Sequence, residues 1–326
     1  DFLLPVTLAL NRRYVIEFND AAMAMAHAGT LSNKRSATPD ELQKGLQRVL
    51  RDNIAQVVVL ETVPHPSRPS QIPQRVCVCN THITANPEFS DVKLWQTAML
   101  LKEVRSSPSD LLHPRACARV RAPPWRFRRS LLRVHSPRVP ARRITRRLTN
   151  AARIEHGARR RLFLTPVLFD LFCFINLPLH THRHQLEKFN ATRKLPLVLC
   201  GDFNALADSA VYELLSTEQI RPNHPGLRYD PCNILPPAQQ LRHGLMLQSA
   251  HVQCLGAEPP FTNYTTDFSG CIDYIWLSCE SVAVSACYTI PTEEDIRELS
   301  DAALPHPQYP SDHFALCFDL KFLGRK

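Results

Sequence analysis

The feature that most limits the fold is an apolar run, LPLVLC at 195–200, that ends in GDFN at 201–204. Runs of this kind, bounded by Pro and Gly, are typical of a strand buried on both faces. Asp202 and Asn204 are two residues apart, so they project to the same side of an extended backbone. The pattern predicts a carboxylate and an amide side by side at a polar sheet edge. A buried strand followed by an ordinary Gly-Asp turn fits it equally well.

Composition sets broad limits on the protein class. The 326 residues suffice for one large domain or two ordinary ones, and 44% of them are hydrophobic, as in soluble globular proteins. The eleven cysteines include no Cys-x-x-Cys pair, which favours a reduced intracellular protein over a disulfide scaffold or a zinc module. Because the sequence opens on Asp1 and not on Met, we expect it to be a fragment or a processed product.

Positive charge is concentrated in one segment. Residues 104–185 contain eighteen Arg, no Lys and three acids, a local charge of +15, so the rest of the chain carries −6 of the net +9. The whole-chain charge therefore says little about partners. The segment has Pro and Arg clusters without a sustained period, and its removal would continue one amphipathic helix from Glu103 into Leu186. We interpret it as a disordered insertion that corresponds to a retained intron.

Two other interpretations of this segment are open. An Arg-rich RNA-binding arm is one of them. A membrane span at 162–179 is disfavoured, since the apolar stretch is short and contains Asp170 and Pro178. The predicted organisation is therefore one domain in two parts, 1–103 and 186–326, separated by the Arg/Pro-rich residues 104–185.

The remaining chain alternates short strands and helices. We expect strands at 14–18, 54–60, 76–81, 261–276, 281–289 and 314–322, helices that begin after Thr38, Ser90 and Asp208, and a loop at 21–34. Strands and helices mixed in this way, with long polar connections, predict an α+β sandwich.

Three more polar groups stand where predicted strands meet solvent. They are Asn80-Thr81-His82 at a strand exit, Asp273 in the otherwise apolar stretch CIDYIW, and Asp312-His313 before the last strand. Each alone has an ordinary explanation, as a loop exit, a satisfied edge residue or a turn cap. Together with Asp202 and Asn204 they form an ordered series of strand-end groups, and this series supports a functional site.

The order of these motifs resembles a known family. Asn-Thr-His, Gly-Asp-Phe-Asn, Ile-Asp-Tyr-Ile and Ser-Asp-His, in this sequence, are similar to the endonuclease/exonuclease/phosphatase family of magnesium-dependent phosphodiesterases. PEFSDVKL at 87–94, TNYTTDF at 262–268 and residues 306–314 look like poly(A) deadenylases of the carbon catabolite repressor protein 4 type. The motifs separate these less decisively from the angel-type and nocturnin-type groups. The resemblance implies a four-layer αββα sandwich, here without its N-terminal strands.

The resemblance also implies roles for individual residues. Asp202 would position or deprotonate the attacking water, and Asn204 would hold the scissile phosphate. His82 would contact a phosphate oxygen, and His313, oriented by Asp273, would stabilise the transition state. Mg²⁺ would be the cofactor, with Asp202 and Asp312 as the metal-binding acids; a hard cation of this kind clamps phosphate oxygens.

Further positions match residues of the family that bind adenines. They are Pro87, Asn263 and Phe268, whose ring and amide chemistry suits stacking on unpaired bases and contact with base edges. For Phe268, a core aromatic residue is the alternative interpretation.

Two elements of the family are missing from this sequence. Its first metal-binding Glu, expected before Tyr14, has no counterpart, and neither have the leucine-rich repeats that dock a scaffold complex. The missing Glu puts tight magnesium binding, and with it the activity of this chain, in doubt.

The predicted function is a 3′–5′ exoribonuclease that shortens mRNA poly(A) tails and releases AMP. Its expected partner is single-stranded poly(A) RNA, without a membrane, and its expected location is the cytoplasm, with the nucleus as a second compartment. Two alternatives remain, a nocturnin-type NADP(H) 2′-phosphatase and a catalytically dead nucleic-acid-binding protein.

Overall fold

The computed structural model describes residues 7–34, 37–64, 73–105, 162–163, 195–299 and 303–323. The chain divides into two compact units, Asp1–Leu111 with Arg160–Lys326, and Leu112–Arg159. The second unit lies outside the described residues, as does nearly all of the segment that we interpret as an insertion. The architecture below is that of the first unit.

A six-stranded mixed sheet forms the centre of the fold, in the order β1-β2-β3-β5-β9-β6. The strands are β1 (Thr7–Glu17), β2 (Ile54–Val63), β3 (Arg75–His82), β5 (Leu197–Asp202), β6 (Leu247–Ser249) and β9 (Asp273–Ser278). Strands β3 and β5 run parallel, whereas β5 and β9 are antiparallel. The apolar run at 195–200 therefore supplies a central strand, and its residues 197–199 are buried.

Helices cover one face of this sheet. They are α1 (Phe18–His27), α2 (Pro39–Val49), α3 (Ser90–Arg105) and α4 (Ala210–Thr217). Their buried side chains, such as Phe18, Trp95 and Leu214, form one apolar cluster with sheet residues such as Leu199 and Trp276. Helix α2 begins at a capping box, in which the side chains of Thr38 and Glu41 each accept a hydrogen bond from the other's backbone N–H.

A second sheet packs on the opposite face, in the order β10-β11-β4. Its strands are β10 (Val282–Cys287), β11 (Phe318–Phe322) and the two-residue β4 (Leu162–Phe163). Val282, Phe318 and Leu320 pack in one cluster with Val198 and Leu277 of the first sheet. Helices on a sheet that faces a second sheet are the arrangement of an α+β sandwich, and this confirms the predicted fold class.

Two sequence-based assignments of secondary structure were wrong. Of the loop predicted at 21–34, residues 21–27 belong to α1. Their run AAMAMAH is rich in the strong helix formers Ala and Met, and Ala22 is buried against the core. The single strand predicted at 261–276 is divided into β7 (Asn263–Tyr264), β8 (Ser269–Gly270) and β9. Backbone and side-chain hydrogen bonds between Thr265 and Phe268 turn the chain between β7 and β8.

The shorter elements among the described residues are the 3₁₀ turns Pro87–Phe89, Pro225–Leu227 and Ala238–Gln240 and the helices α5 (Ala250–Leu255) and α6 (Glu293–Arg297). None of the helices found there is both long enough and apolar enough to span a bilayer. The apolar stretch at 162–179 lies almost wholly outside the described residues.

Candidate active site

Three neighbouring strands place polar residues in one row at a sheet edge. His82 ends β3 and is the register partner of Asp202, which ends β5. Asp202 is in turn the register partner of Asp273, which begins β9. Adjacent strands lie about 4.8 Å apart, so the row brings together side chains that are far apart in sequence. Because β5 is antiparallel to β9, the end of one strand meets the start of the other.

Gly201 permits this close approach of β3 and β5. Its φ is +142°, and a Cβ atom there would lie 1.9 Å from the carbonyl oxygen of Thr81. No side chain larger than hydrogen fits without moving the neighbouring strand. Gly201 is therefore required for the packing of β5 against β3, and Asp202 follows it at the end of the strand.

Asp273 and His313 form a hydrogen-bonded pair beside Asp202. Nδ1 of His313 lies 2.8 Å from Oδ2 of Asp273. The hydroxyl of Thr262 donates to the same oxygen at 2.7 Å and accepts from the backbone N–H groups of Ile272 and Asp273 at 3.0 Å. Thr262 is fully buried, so this network fixes the Asp273 carboxylate and, through it, one ring nitrogen of His313.

Asn204 lies in a tight turn directly after Asp202. Its φ is +48°, in the left-handed region that Asn tolerates better than most residues. Its backbone N–H donates to Oδ1 of Asp202 at 2.7 Å, and its side-chain Nδ2 donates to the carbonyl of Ile83 at 2.9 Å. The other carboxylate oxygen of Asp202 lies 3.5 Å from Nε2 of His82, whose side chain is 67% exposed. Asn204 thus links the ends of β3 and β5.

The surroundings of the site raise the pKa values of Asp202 and His313. Burial, followed by the nearby charge of Asp273, raises the pKa of Asp202 to about 6, against the opposing effects of the Asn204 hydrogen bond and the two histidines. The hydrogen bond to Asp273 raises the pKa of His313, and burial opposes it. Two carboxylates in a poorly hydrated site thus favour a positive charge beside them.

The residues present fit a divalent cation. Asp202, Asp273 and His313 each offer one ligand atom, and these atoms lie within 4.8 Å of one another. Hard cations such as Mg²⁺ bind through one or two carboxylates and retain several waters. The raised pKa of Asp202 supports the same conclusion, because a cation would offset the repulsion between the paired carboxylates. Asp202 and Asp273 are the acids best placed to hold such an ion.

The other predicted site residues lie in different surroundings. Asp312 is outside the group of three possible ligands, and its Oδ2 accepts a long hydrogen bond, 3.4 Å, from Nδ2 of Asn263. Asn263 is 5% exposed, so little of its amide faces solvent. Pro87 is exposed in its 3₁₀ turn, and Phe268 is 41% exposed at the turn between β7 and β8. Metal binding by Asp312 and adenine binding by the other three residues stay predictions.

The turn that carries Pro87 is fixed by a buried ion pair. The guanidinium of Arg48 donates to both carboxylate oxygens of Asp91, at 2.6 and 2.8 Å, and to the carbonyl of Glu88 at 3.1 Å. It also lies 4.8 Å from the ring centroid of Phe89. The side chain of Asp91 is 0% exposed and that of Arg48 is 14% exposed. This arrangement attaches the turn to α2.

Sequence reasoning gave no role to Thr262 or to Lys93. Thr262 lies inside the strand predicted at 261–276 and opens the motif TNYTTDF, but neither observation assigns its hydroxyl a partner. Lys93 lies on α3, and the apolar residues Leu94, Ala98 and Leu101 would form one face of such a helix. The helix is in fact buried over most of its circumference, so a polar residue outside that face can still be in the interior.

Comparison with known proteins identifies the family. Residues 101–313 match the sequence profile described as the Endonuclease/Exonuclease/phosphatase family, which is more than half of the chain. The chain belongs to this family. The matched range contains Asp202, Asn204, Asp273 and His313, whereas the Asn80-Thr81-His82 motif precedes it, and the family predicted from the resemblance is confirmed.

Two curated relatives carry the name of the carbon catabolite repressor protein 4 (Ccr4) group. Carbon catabolite repressor protein 4 homolog 1 of Arabidopsis thaliana is 28% identical, over 96% of this chain and 40% of its own length. The CCR4-Not complex 3′-5′-exoribonuclease subunit Ccr4 of Aspergillus clavatus is 27% identical, over 85% of this chain and 33% of its own length. The chain thus spans less than half the length of these curated relatives.

Among solved structures, that of ANGEL2, a 2′,3′-cyclic phosphatase, is similar in fold. Its TM-score is 0.50 and its sequence identity 18%, over 96% of this chain and 67% of that chain. At this identity the similarity concerns the fold alone, and it agrees with the two-sheet sandwich described above.

Proposed function

We propose that this chain is the catalytic part of a Mg²⁺-dependent 3′–5′ exoribonuclease that shortens poly(A) tails and releases AMP. The observation that carries the proposal is the Asp202, Asp273 and His313 group, whose ligand atoms lie within 4.8 Å of one another at a sheet edge. The relatives named as Ccr4 proteins and as a 3′-5′-exoribonuclease subunit support this choice of substrate and direction.

The site residues suit attack of water on a phosphodiester. The carboxylate of Asp202 stands at the end of β5, where it can orient a water molecule and accept its proton. The raised pKa of His313 favours the imidazolium, which donates to developing negative charge on a phosphate oxygen. A bound Mg²⁺ supplies neutralisation of phosphate charge. Asn204 and His82 lie beside Asp202, where they can contact the same phosphate.

Substrate choice would come from the turn residues that flank the site. Phe268 offers an exposed aromatic face, and unpaired bases stack on such faces with roughly 1–3 kcal/mol per base. Pro87 offers a second exposed apolar surface on a turn that the Arg48–Asp91 ion pair holds. The proposed partner is single-stranded poly(A) RNA, with assembly into a deadenylase complex, and the proposed location is the cytoplasm, with the nucleus as a second compartment.

The test is an assay of RNA shortening. The full chain is incubated with 5′-labelled poly(A) and poly(U) RNA in Mg²⁺ or EDTA, and the products are resolved on a sequencing gel. We expect stepwise shortening of poly(A) in Mg²⁺, release of AMP, and loss of activity in Asp202→Ala. Asp208→Ala is the matched control, since this exposed aspartate follows in the same loop. Retained activity in Asp202→Ala would remove that residue from the mechanism.

Two other outcomes would overturn the proposal. Release of phosphate from NADPH, without RNA shortening, would favour the 2′-phosphatase. Salt-sensitive RNA binding without cleavage, lost on deletion of residues 104–185, would favour a nucleic-acid-binding protein that has lost catalysis.

A further inference from the structure

Lys93 is a buried cation inside the motif PEFSDVKL, and the sequence assigned it no role of its own. It lies in the first turn of α3, and it is 9% exposed. Burial of an ammonium group is costly unless hydrogen bonds and charge compensate. Burial also lowers the pKa of Lys93, and the nearby charge of Asp202 opposes that shift. The compensation for Lys93 must therefore be found in its immediate surroundings.

Its hydrogen bond leads to the active-site turn. Nζ of Lys93 donates to the backbone carbonyl of Asn204 at 2.7 Å. The N–H and the side-chain amide of Asn204 are held by Asp202 and Ile83, as described above. Three different segments thus hold the backbone and side chain of Asn204. Among the hydrogen bonds of the described residues, the one from Lys93 is what connects α3 to Asn204. The left-handed conformation of Asn204 needs such restraint, because its backbone is strained.

The charge of Lys93 acts on the same site. Within the described part of the chain, no carboxylate lies within ion-pair distance of Nζ, and the nearby acid that favours the ammonium is Asp202. A Met side chain would fill much the same volume without the cost of a buried charge. What lysine adds at this position is one donor and one positive charge, both directed at the turn from Asp202 to Asn204.

We propose that Lys93 is a positioning residue for the reaction, which holds the Asn204 turn from beneath the site through its hydrogen bond to the Asn204 carbonyl. The inference rests on the proposed function, because it assigns Lys93 to that same hydrolysis. It also explains a polar side chain on a helix that is otherwise packed into the core.

The test compares Lys93→Met, Lys93→Gln and Lys93→Arg in steady-state cleavage of poly(A) RNA in Mg²⁺. We expect Lys93→Met to lower kcat roughly 100-fold with KM changed less than about threefold, as for a small displacement of reacting groups. Lys93→Gln keeps a donor without charge and Lys93→Arg keeps both, so activity should recover in that order. Lys44→Met is the matched control, because Lys44 is 66% exposed and pairs with Asp40 on α2.

Melting temperature separates positioning from a structural role. Lys93→Met should melt at the wild-type temperature or above it, since the variant removes a buried charge. A loss of kcat that follows a lowered melting temperature, without recovery in Lys93→Arg, would make Lys93 merely structural and overturn the inference. Unchanged kcat in Lys93→Met, with an active wild type, would overturn the inference alone. Failure of the wild type to cleave RNA would overturn the proposed function and this role together.

Discussion

Replacement of Arg48 by Met should destabilise the protein strongly. The change leaves Asp91, 0% exposed, without the guanidinium that donates to both of its carboxylate oxygens. Removal of one partner from a buried ion pair costs about 3–5 kcal/mol, because the remaining charge is neither hydrated nor paired. At about 2–4 °C per kcal/mol for a domain of this size, the melting temperature should fall by roughly 6–20 °C.

The assay is urea denaturation followed by tryptophan fluorescence, since Trp95 and Trp276 are fully buried. Arg297→Met is the control, because Arg297 forms an exposed ion pair with Glu293 and should cost less than about 1 kcal/mol. The double variant Arg48→Met/Asp91→Asn should recover roughly 1–3 kcal/mol of the loss, as the amide carries no charge.

A cost for Arg48→Met no larger than that for Arg297→Met would refute this reasoning. It would mean that Asp91 is hydrated or neutral in the folded protein. A large cost without recovery in the double variant would also count against it, because the loss would then come from packing of the Arg48 stem and not from an unpaired charge.

Three further predictions concern backbone, pH and catalysis. Gly201→Ala should cost more than about 4 kcal/mol, since its Cβ would meet the neighbouring strand. The control Gly29→Ala has open space around its Cβ and should cost about 1–2 kcal/mol from backbone strain. Thermal melting followed by circular dichroism compares the two variants. Burial lowers the pKa of His243, so the unfolded chain binds more protons than the folded protein, and the free energy of unfolding should fall as pH drops below the ordinary value of 6.5. Denaturation curves at several pH values should show a smaller fall in His243→Gln than in the wild type. An equal fall in both proteins would show that His243 is not the cause. Asp273→Asn should lower the pKa of His313 towards its ordinary value, and the alkaline limb of a kcat–pH profile should move to lower pH; an unmoved limb would show that protonated His313 is not required.

The site residues at strand ends were predictable, whereas their supports were not. An apolar run that ends in Gly-Asp signals a buried strand and its edge within a few residues, so Asp202 could be placed from sequence. The pairing of Asp273 with His313 joins residues 40 positions apart, and the family resemblance implied it, whereas local sequence does not specify the register on which it depends. Thr262 and Lys93 were missed for the same reason, since their roles arise from contacts and not from spacing.

The error at α1 has a different physical origin. Small and polar residues at 21–34 suggested a loop, but alanine has the highest helix propensity, and residues 21–27 form the second part of α1, with Ala22 buried in the core. Tertiary packing also explains α3, whose burial on several sides hides the usual amphipathic pattern. Local patterns are therefore most informative where one face of an element meets water.

The parallel pairing of β3 and β5 has a consequence for how this gene can change. The chain leaves α3 at Arg105 and returns at Leu195, and both residues line one cavity with Leu197 at the start of β5. Asp202 is at the other end of that strand, about 17 Å away at 3.3 Å per residue. Sequence added or removed between these two points enters and leaves the domain at the side remote from the catalytic edge. Splicing errors or insertions there would leave the positions of His82, Asp202 and Asp273 at the opposite strand ends unchanged.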